Sequence, residues 1–339
     1  MEWMSEYGLF LAKVMTVLLA VLAVMLMVAV SRGQRRRGEG ELQVTPLNQR
    51  LERMSDRLAA SVLSRPGLKQ RNRERKRLDK AREKEAESRP RVYVLDFHGD
   101  IKASALEGLR HEITAVLELA RPKDEILVRL ESGGGMVHAY GLAAAQLVRV
   151  REAGIPLVVS VDKVAASGGY MMACIGDRIL AAPFAMLGSI GVIAQLPNFN
   201  RLLKKHDVDF EMLTAGEYKR TLTLFGENTE KGREKFQQDL ENIHKLFKEF
   251  VSRYRPELNV GEVATGEVWF GSEALERSLV DSLITSDQYI SSRVADADLF
   301  EVHFVVRKRL QEKLAGSLST AVDRLLLTWL SRLNKQYFH

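Results

Sequence analysis

Three runs of strand-forming residues, Arg91-Val92-Tyr93-Val94-Leu95-Asp96-Phe97, Glu125 to Leu130 and Ile155 to Val161, alternate with helical patterns that reach Ala120 and span His138 to Arg151. Strands this continuously apolar are buried on both faces, and helices between them supply the covers. The order therefore predicts βαβ units and a mainly parallel sheet inside an α/β fold. Glycine turns follow the first two strands, at Gly99-Asp100 and at Ser132-Gly133-Gly134-Gly135. Turns at the carboxyl ends of parallel strands are where a site belongs.

The rest of the chain reads as attachments to this unit, the expected domain spanning residues 91–308. From Leu9 to Val30 every residue is apolar or small except Lys13 and Thr16, about 22 residues against the roughly 20 that cross a hydrocarbon core. A retained transmembrane helix over 1–31 is expected, because Glu2 and Glu6 replace the basic start of a cleaved signal and no A-x-A site follows. Arg32, Arg35, Arg36 and Arg37 favour the cytoplasmic side for what comes after. Residues 32–90 read as a charged helical stalk, and much of the net charge of +6 collects there. Lipid phosphates account for that charge; interleaved acids (Glu74, Asp79, Glu83, Glu85) and missing aromatics speak against nucleic acid.

Further along, Arg178 to Ala182 and Ile190 to Gln195 read as short strands, and Glu230 to Arg253 as a long amphipathic helix stopped before Pro256. Residues 309–339 form an expected amphipathic helix for a membrane surface or a partner subunit. The one cysteine, Cys174, lies in an apolar stretch, which excludes an internal disulfide and predicts a buried small hydrophobe.

The chemistry concentrates in Ala166-Ser167-Gly168-Gly169-Tyr170 and Gly216-Glu217-Tyr218-Lys219. A serine before two glycines lets a substrate backbone approach and leaves amides for a developing oxyanion. No histidine has a convincing partner, so the best proton acceptor for a Ser167 nucleophile is Lys219, provided that it is desolvated enough to be neutral. Gly168, with Gly134 or Gly135, supplies the oxyanion donors in this reading. Other readings stand beside it. Ser167 alone suits a helix N-cap, Lys219 suits a surface lysine, and Lys163 lies only four residues before the serine. His138 with Asp100 or Asp162 offers a Ser-His arrangement, whereas His98, His111 and His206 read as surface or turn residues. Metal-ligand spacing is absent, and the glycine turn lacks the Lys-Ser/Thr ending of a phosphate loop. No cofactor is expected.

These stretches, with Leu130-Glu131-Ser132-Gly133-Gly134-Gly135-Met136-Val137, Val161-Asp162-Lys163-Val164-Ala165 leading into the serine, Gly188-Ser189-Ile190-Gly191-Val192, and Arg220-Thr221-Leu222-Thr223 after the lysine, resemble the signal peptide peptidase A family of serine peptidases, family S49, in its SohB-like inner-membrane subgroup. The resemblance spans nearly the whole chain. It implies a Clp/crotonase-like fold, Ser167 as nucleophile, Lys219 as general base, and Gly134 or Gly135 as the oxyanion glycine. It also implies homo-oligomeric rings in which serine and lysine can come from adjoining subunits, with signal-peptide remnants or other extended hydrophobic peptides as substrates. The chain departs from the family at Gly133, where proline is usual. Relatives are commonly assigned periplasmic roles, opposite to the face that the charge asymmetry favours. Acyl-CoA chemistry and a non-catalytic peptide-binding scaffold are the competing functions for such a fold.

Overall fold

The structure, a computed structural model, describes residues 14–16, 40–85 and 88–306. Among the described residues no helix is long and apolar enough to cross a membrane. The expected anchor over 1–31, apart from 14–16, and the expected helix over 309–339 lie outside the described residues. The larger of two compact units is Leu42–Phe304.

Its sheet contains β1 (Gly40–Pro46), β2 (Arg91–Gly99), β3 (Glu125–Ser132), β4 (Leu157–Val161), β5 (Val164–Ala166), β6 (Arg178–Ala181), β7 (Met186–Gly188), β8 (Val268–Phe270), β9 (Ser282–Leu283) and β10 (Asp298–Val306). The main path runs β1-β10-β2-β3-β4-β6-β9, and its pairings from β10 to β9 are parallel. Alternation along each strand explains the covers on both faces. Tyr93, Leu95, Phe97, Ile126, Val128 and Leu130 pack on the side of helices Leu106–Leu119 and Val137–Glu152. Val92, Val94, Leu127, Val158 and Leu180 turn the other way, toward Leu47 and Leu51 of helix Leu47–Val62 and Tyr289 and Ile290 of helix Ser286–Arg293.

The sheet forks at the end of β3. Ile126 to Arg129 pair with β4, but Ser132 pairs with Ala165 of β5. β5 then pairs with β7, and β7 runs antiparallel to β8. This side branch carries the chain out of the main sheet immediately before Ser167.

Two local outcomes differ from the sequence reading. Ile190 to Gln195 forms no strand; the strand is β7, ending at Gly188. Gly188 and Ser189 both take positive φ, 93° and 49°, which an extended ladder does not accommodate. The amide of Ser189 goes to Glu267 O at 2.6 Å instead. Part of the stretch read as a stalk also joins the domain. Leu47 is buried, and Asn48 accepts the Leu299 amide at 2.7 Å while donating to Ala297 O at 3.0 Å. The apolar positions Leu47 and Leu51, one helical turn apart, are easily hidden among Gln49, Arg50, Glu52 and Arg53.

Charges inside the fold are mostly paired. Arg129 donates to both carboxylate oxygens of Asp96, at 2.5 and 2.6 Å, and to Glu301 at 2.6 Å, linking β2, β3 and β10. Cys174 is fully buried, and burial pushes its thiol up, away from the reactive thiolate. Glu112 is the costly case: only 2% exposed, it accepts the Phe304 amide at 2.8 Å through Oε1, which also faces His303 Nδ1 at 3.5 Å, while Oε2 has no hydrogen-bond partner among the described residues. Burial raises its carboxyl above the ordinary range, so the folded state holds the proton more tightly than the unfolded chain. Stability is then lost as pH rises from the ordinary carboxylate range through the raised value. Thermal melting across that window is expected to show this decline in the unaltered chain and a flattened profile in Glu112→Gln.

Candidate active site

At the end of the side branch the backbone makes a sharp turn. Ser167 sits between β5 and helix Gly168–Ala173 with φ 53° and ψ −118°. A residue with a side chain pays roughly 1–3 kcal/mol to stay in such a conformation, and it persists only where its neighbours fix it. They do so here. The Ser167 amide donates to Gly188 O at 2.8 Å, its carbonyl accepts from Met171 at 3.0 Å, and the buried Tyr170 hydroxyl pins the short helix to Leu279 O at 2.9 Å. A helix-cap role does not account for the serine, because its side chain makes no capping hydrogen bond. Its hydroxyl is bonded to no described residue and the position is half-buried.

The Gly133–Gly135 turn lies directly against this serine. Gly134 has φ 86°, and a Cβ there would stand 2.8 Å from Ser167 Cβ and 2.7 Å from Gly168 N. A Cβ on Gly168 would stand 2.4 Å from Cγ of Tyr140. Two backbones thus meet at a distance that excludes side chains. The Gly134 amide donates to Ser132 Oγ at 3.1 Å, whereas the amides of Gly135 and Gly168 have no acceptor among the described residues. Together these strands and turns place a hydroxyl beside uncommitted backbone donors, as acyl transfer requires.

Ser167 and Lys219 share no side-chain hydrogen bond among the described residues. Lys219 is exposed, on a turn where its amide donates to Gly216 O at 3.1 Å. Helix Glu230–Tyr254 holds that turn, since Lys231 pairs with Glu217 at 2.5 Å and the Lys235 ammonium lies 5.7 Å from the Tyr218 ring centre. The hydrogen bond from Lys231 lowers the Glu217 carboxyl from its usual range. Rival bases are otherwise engaged or unsupported. Lys163 pairs with Glu131 at 2.9 Å. Asp162 receives the Ser286 amide and hydroxyl, and Asp100 receives the amides of Lys102 and Ser104 and the Ser104 hydroxyl, so neither carboxylate orients the exposed His138. His111 stacks on Phe304, 4.2 Å between ring centres, and His98 approaches Glu131 at 3.7 Å.

The profile described as Peptidase family S49 N-terminal matches residues 2–147, and that of Peptidase family S49 matches residues 149–299. The chain belongs to peptidase family S49. Probable protease SohB of Haemophilus influenzae is 44% identical over 348 residues, covering 99% of each chain. Probable protease SohB of Buchnera aphidicola subsp. Schlechtendalia chinensis is 48% identical over 305 residues, 86% of this chain and 100% of that protein. The chloroplastic serine protease SPPA of Arabidopsis thaliana is 31% identical over 180 residues, 52% of this chain and 26% of that one. The S49 chain is therefore a peptidase with SohB proteases as nearly full-length relatives.

In this S49 peptidase the sequence reading anticipated the junction of serine and glycine turn but not what lies under it. Ser132 was read as part of a turn and Tyr140 only fell inside the helix expected over His138 to Arg151, yet both are buried against the site. A polar Tyr hydroxyl on the inward face of Val137–Glu152 was the available signal. Gly134→Ala places a methyl group where Ser167 and Gly168 already stand. Peptidase activity is expected to fall by about 100-fold or more, measured against unchanged helical circular dichroism; activity within twofold of the unaltered chain would remove Gly134 from the site.

Proposed function

We propose that this chain is a membrane-anchored serine endopeptidase on a Clp/crotonase-like fold, cleaving extended hydrophobic peptides such as signal-peptide remnants through Ser167 and Lys219. The observation that carries the reading is the positive-φ Ser167, its hydroxyl uncommitted, beside the unpaired amide of Gly168 and against the Gly134 turn, whose Gly135 amide is also unpaired. Neutral Lys219 takes the hydroxyl proton as Ser167 Oγ bonds to the scissile carbonyl carbon. Amides of Gly168 and Gly135 hold the oxyanion, because the Gly134 amide of the sequence reading is engaged by Ser132 Oγ. The carbon–nitrogen bond then breaks, Lys219 returns the proton to the leaving amine, and water, deprotonated by the same lysine, releases the acyl group from Ser167. No cofactor enters these steps.

A base that must shed its proton needs cover from water. The exposed Lys219 obtains it, in this reading, from a second copy within a ring. Support comes from the segment around it, where Phe199, Phe210 and Phe225 cluster and Ile193 and Leu213 stand 79% and 95% exposed. Apolar side chains on the side branch, Met186, Val268 and Phe270, suit an extended hydrophobic substrate, and β8 leaves a strand edge beside them. The apolar run Leu9 to Val30 anchors the ring in the inner membrane by a single pass, with lipid and peptide as its partners and no role for nucleic acid.

Cleavage of an unstructured hydrophobic peptide by the full chain in detergent tests the assignment. Ser167→Ala and Lys219→Ala are each expected to lower kcat by at least about 1,000-fold, Lys163→Ala to leave it unchanged, and a mixture of the two inactive proteins to regain activity by joining an intact serine to an intact lysine. An active Lys219→Ala protein would overturn the base assignment, and a mixture without activity would overturn the shared site.

A further inference from the structure

We infer that Ser132, Tyr140 and the main-chain carbonyl of Asp100 form a one-way hydrogen-bond relay that positions the oxyanion-binding glycine turn, with Ser132 and Tyr140 as positioning residues. The inference rests on the serine-peptidase reading of the site and adds the part that keeps its donors in place.

The direction of each hydrogen follows from counting donors. Asp100 O only accepts, and Tyr140 Oη lies 2.8 Å from it, so the one phenolic hydrogen goes there. Ser132 Oγ lies 2.5 Å from Tyr140 Oη and must then donate its own hydrogen to the phenol oxygen. The serine oxygen keeps lone pairs, and the Gly134 amide donates to one of them at 3.1 Å. Proton order is thus fixed from Gly134 through Ser132 and Tyr140 to Asp100. Ser132 is 1% exposed and Tyr140 fully buried, so breaking one link strands a polar group out of reach of solvent.

Both ends of the relay are held. The Asp100 carboxylate receives the Ser104 amide at 2.8 Å and the Ser104 hydroxyl at 2.7 Å, and these bonds, the amide foremost, hold it below the usual carboxylate range. The loop it shapes returns to the glycine turn, where Ile101 O accepts the Met136 amide at 2.8 Å. Packing leaves the relay no slack, since a Cβ on Gly99 would stand 2.4 Å from both Ser132 Oγ and Tyr140 Oη. Tyr140 also reaches the other half of the oxyanion site, because its ring lies directly under Gly168. One side chain therefore sets the Gly134 turn through its hydroxyl and the Gly168 backbone through its ring.

Ser132→Ala removes the acceptor of the Gly134 amide, and Tyr140→Phe keeps the ring while removing the hydroxyl. In each variant kcat is expected to fall about tenfold or more with KM within twofold, and affinity for a peptide boronate, which mimics the tetrahedral state, to fall in step with kcat. Deuterium exchange in the segment 131–136 is expected to quicken in both, even where the melting temperature is retained. Equal losses in substrate and boronate binding, or unchanged exchange in 131–136, would overturn the relay. Should the unaltered chain show no Ser167-dependent cleavage, the serine-peptidase reading falls, and the exchange rates alone then judge whether the relay holds the turn.

Discussion

The close approach of two main chains, at Gly134 and at Ser167-Gly168, is the constraint on which the rest of the site depends. A methyl group at Gly134 or Gly168 has no room, and Ser167 accepts a strained backbone so that its hydroxyl stays out of the short helix that follows. The fork in the sheet produces that approach. Because β3 hands its pairing from β4 to β5 at Ser132, the turn after β3 and the turn after β5 end up side by side. Strand pairing thus positions the site, and the buried Tyr140 seals it from below.

Much of this could be read from residues alone, and the parts that could not share a physical reason. The β2, β3 and β4 runs were legible because strands buried on both faces leave nearly unbroken apolar sequence. Ser167 and the glycine turn were legible because few other functions need a hydroxyl before two glycines near a second glycine cluster. The short strand β7 was misplaced because left-handed backbone at Gly188 and Ser189, rather than hydrophobicity, decides where it stops. Helix Leu47–Val62 looked like solvated stalk because its buried stripe is only a few residues wide amid charge. Tyr140 and Ser132 were hidden for another reason: a buried hydroxyl looks like any other until its partner, brought by a different turn, is known.

In the proposed mechanism, the base is the part of the site that a single chain leaves open. Helix Glu230–Tyr254 fixes the turn bearing Lys219 through Glu217 and Tyr218, but the turn stays in solvent, in a segment rich in exposed aromatic and aliphatic side chains. The serine turn and the glycine turn, by contrast, meet within one chain and are stiffened by hydrogen bonds. On the proposed function, such a division suits an enzyme whose nucleophile is prepared on folding and whose proton acceptor is installed on assembly. Membership of peptidase family S49 fits both halves: the family match covers the residues of the serine turn and those of the lysine turn.

The central claim is that Ser167 is a competent nucleophile rather than a residue buried in a turn. Active-site-directed fluorophosphonate labelling of the full chain, with the modified residue located by mass spectrometry, tests it most directly. The account expects one adduct, on Ser167, that disappears in Ser167→Ala and persists when Lys163 is replaced. An unlabelled chain that still cleaves peptide, or an adduct on a different serine, would contradict it.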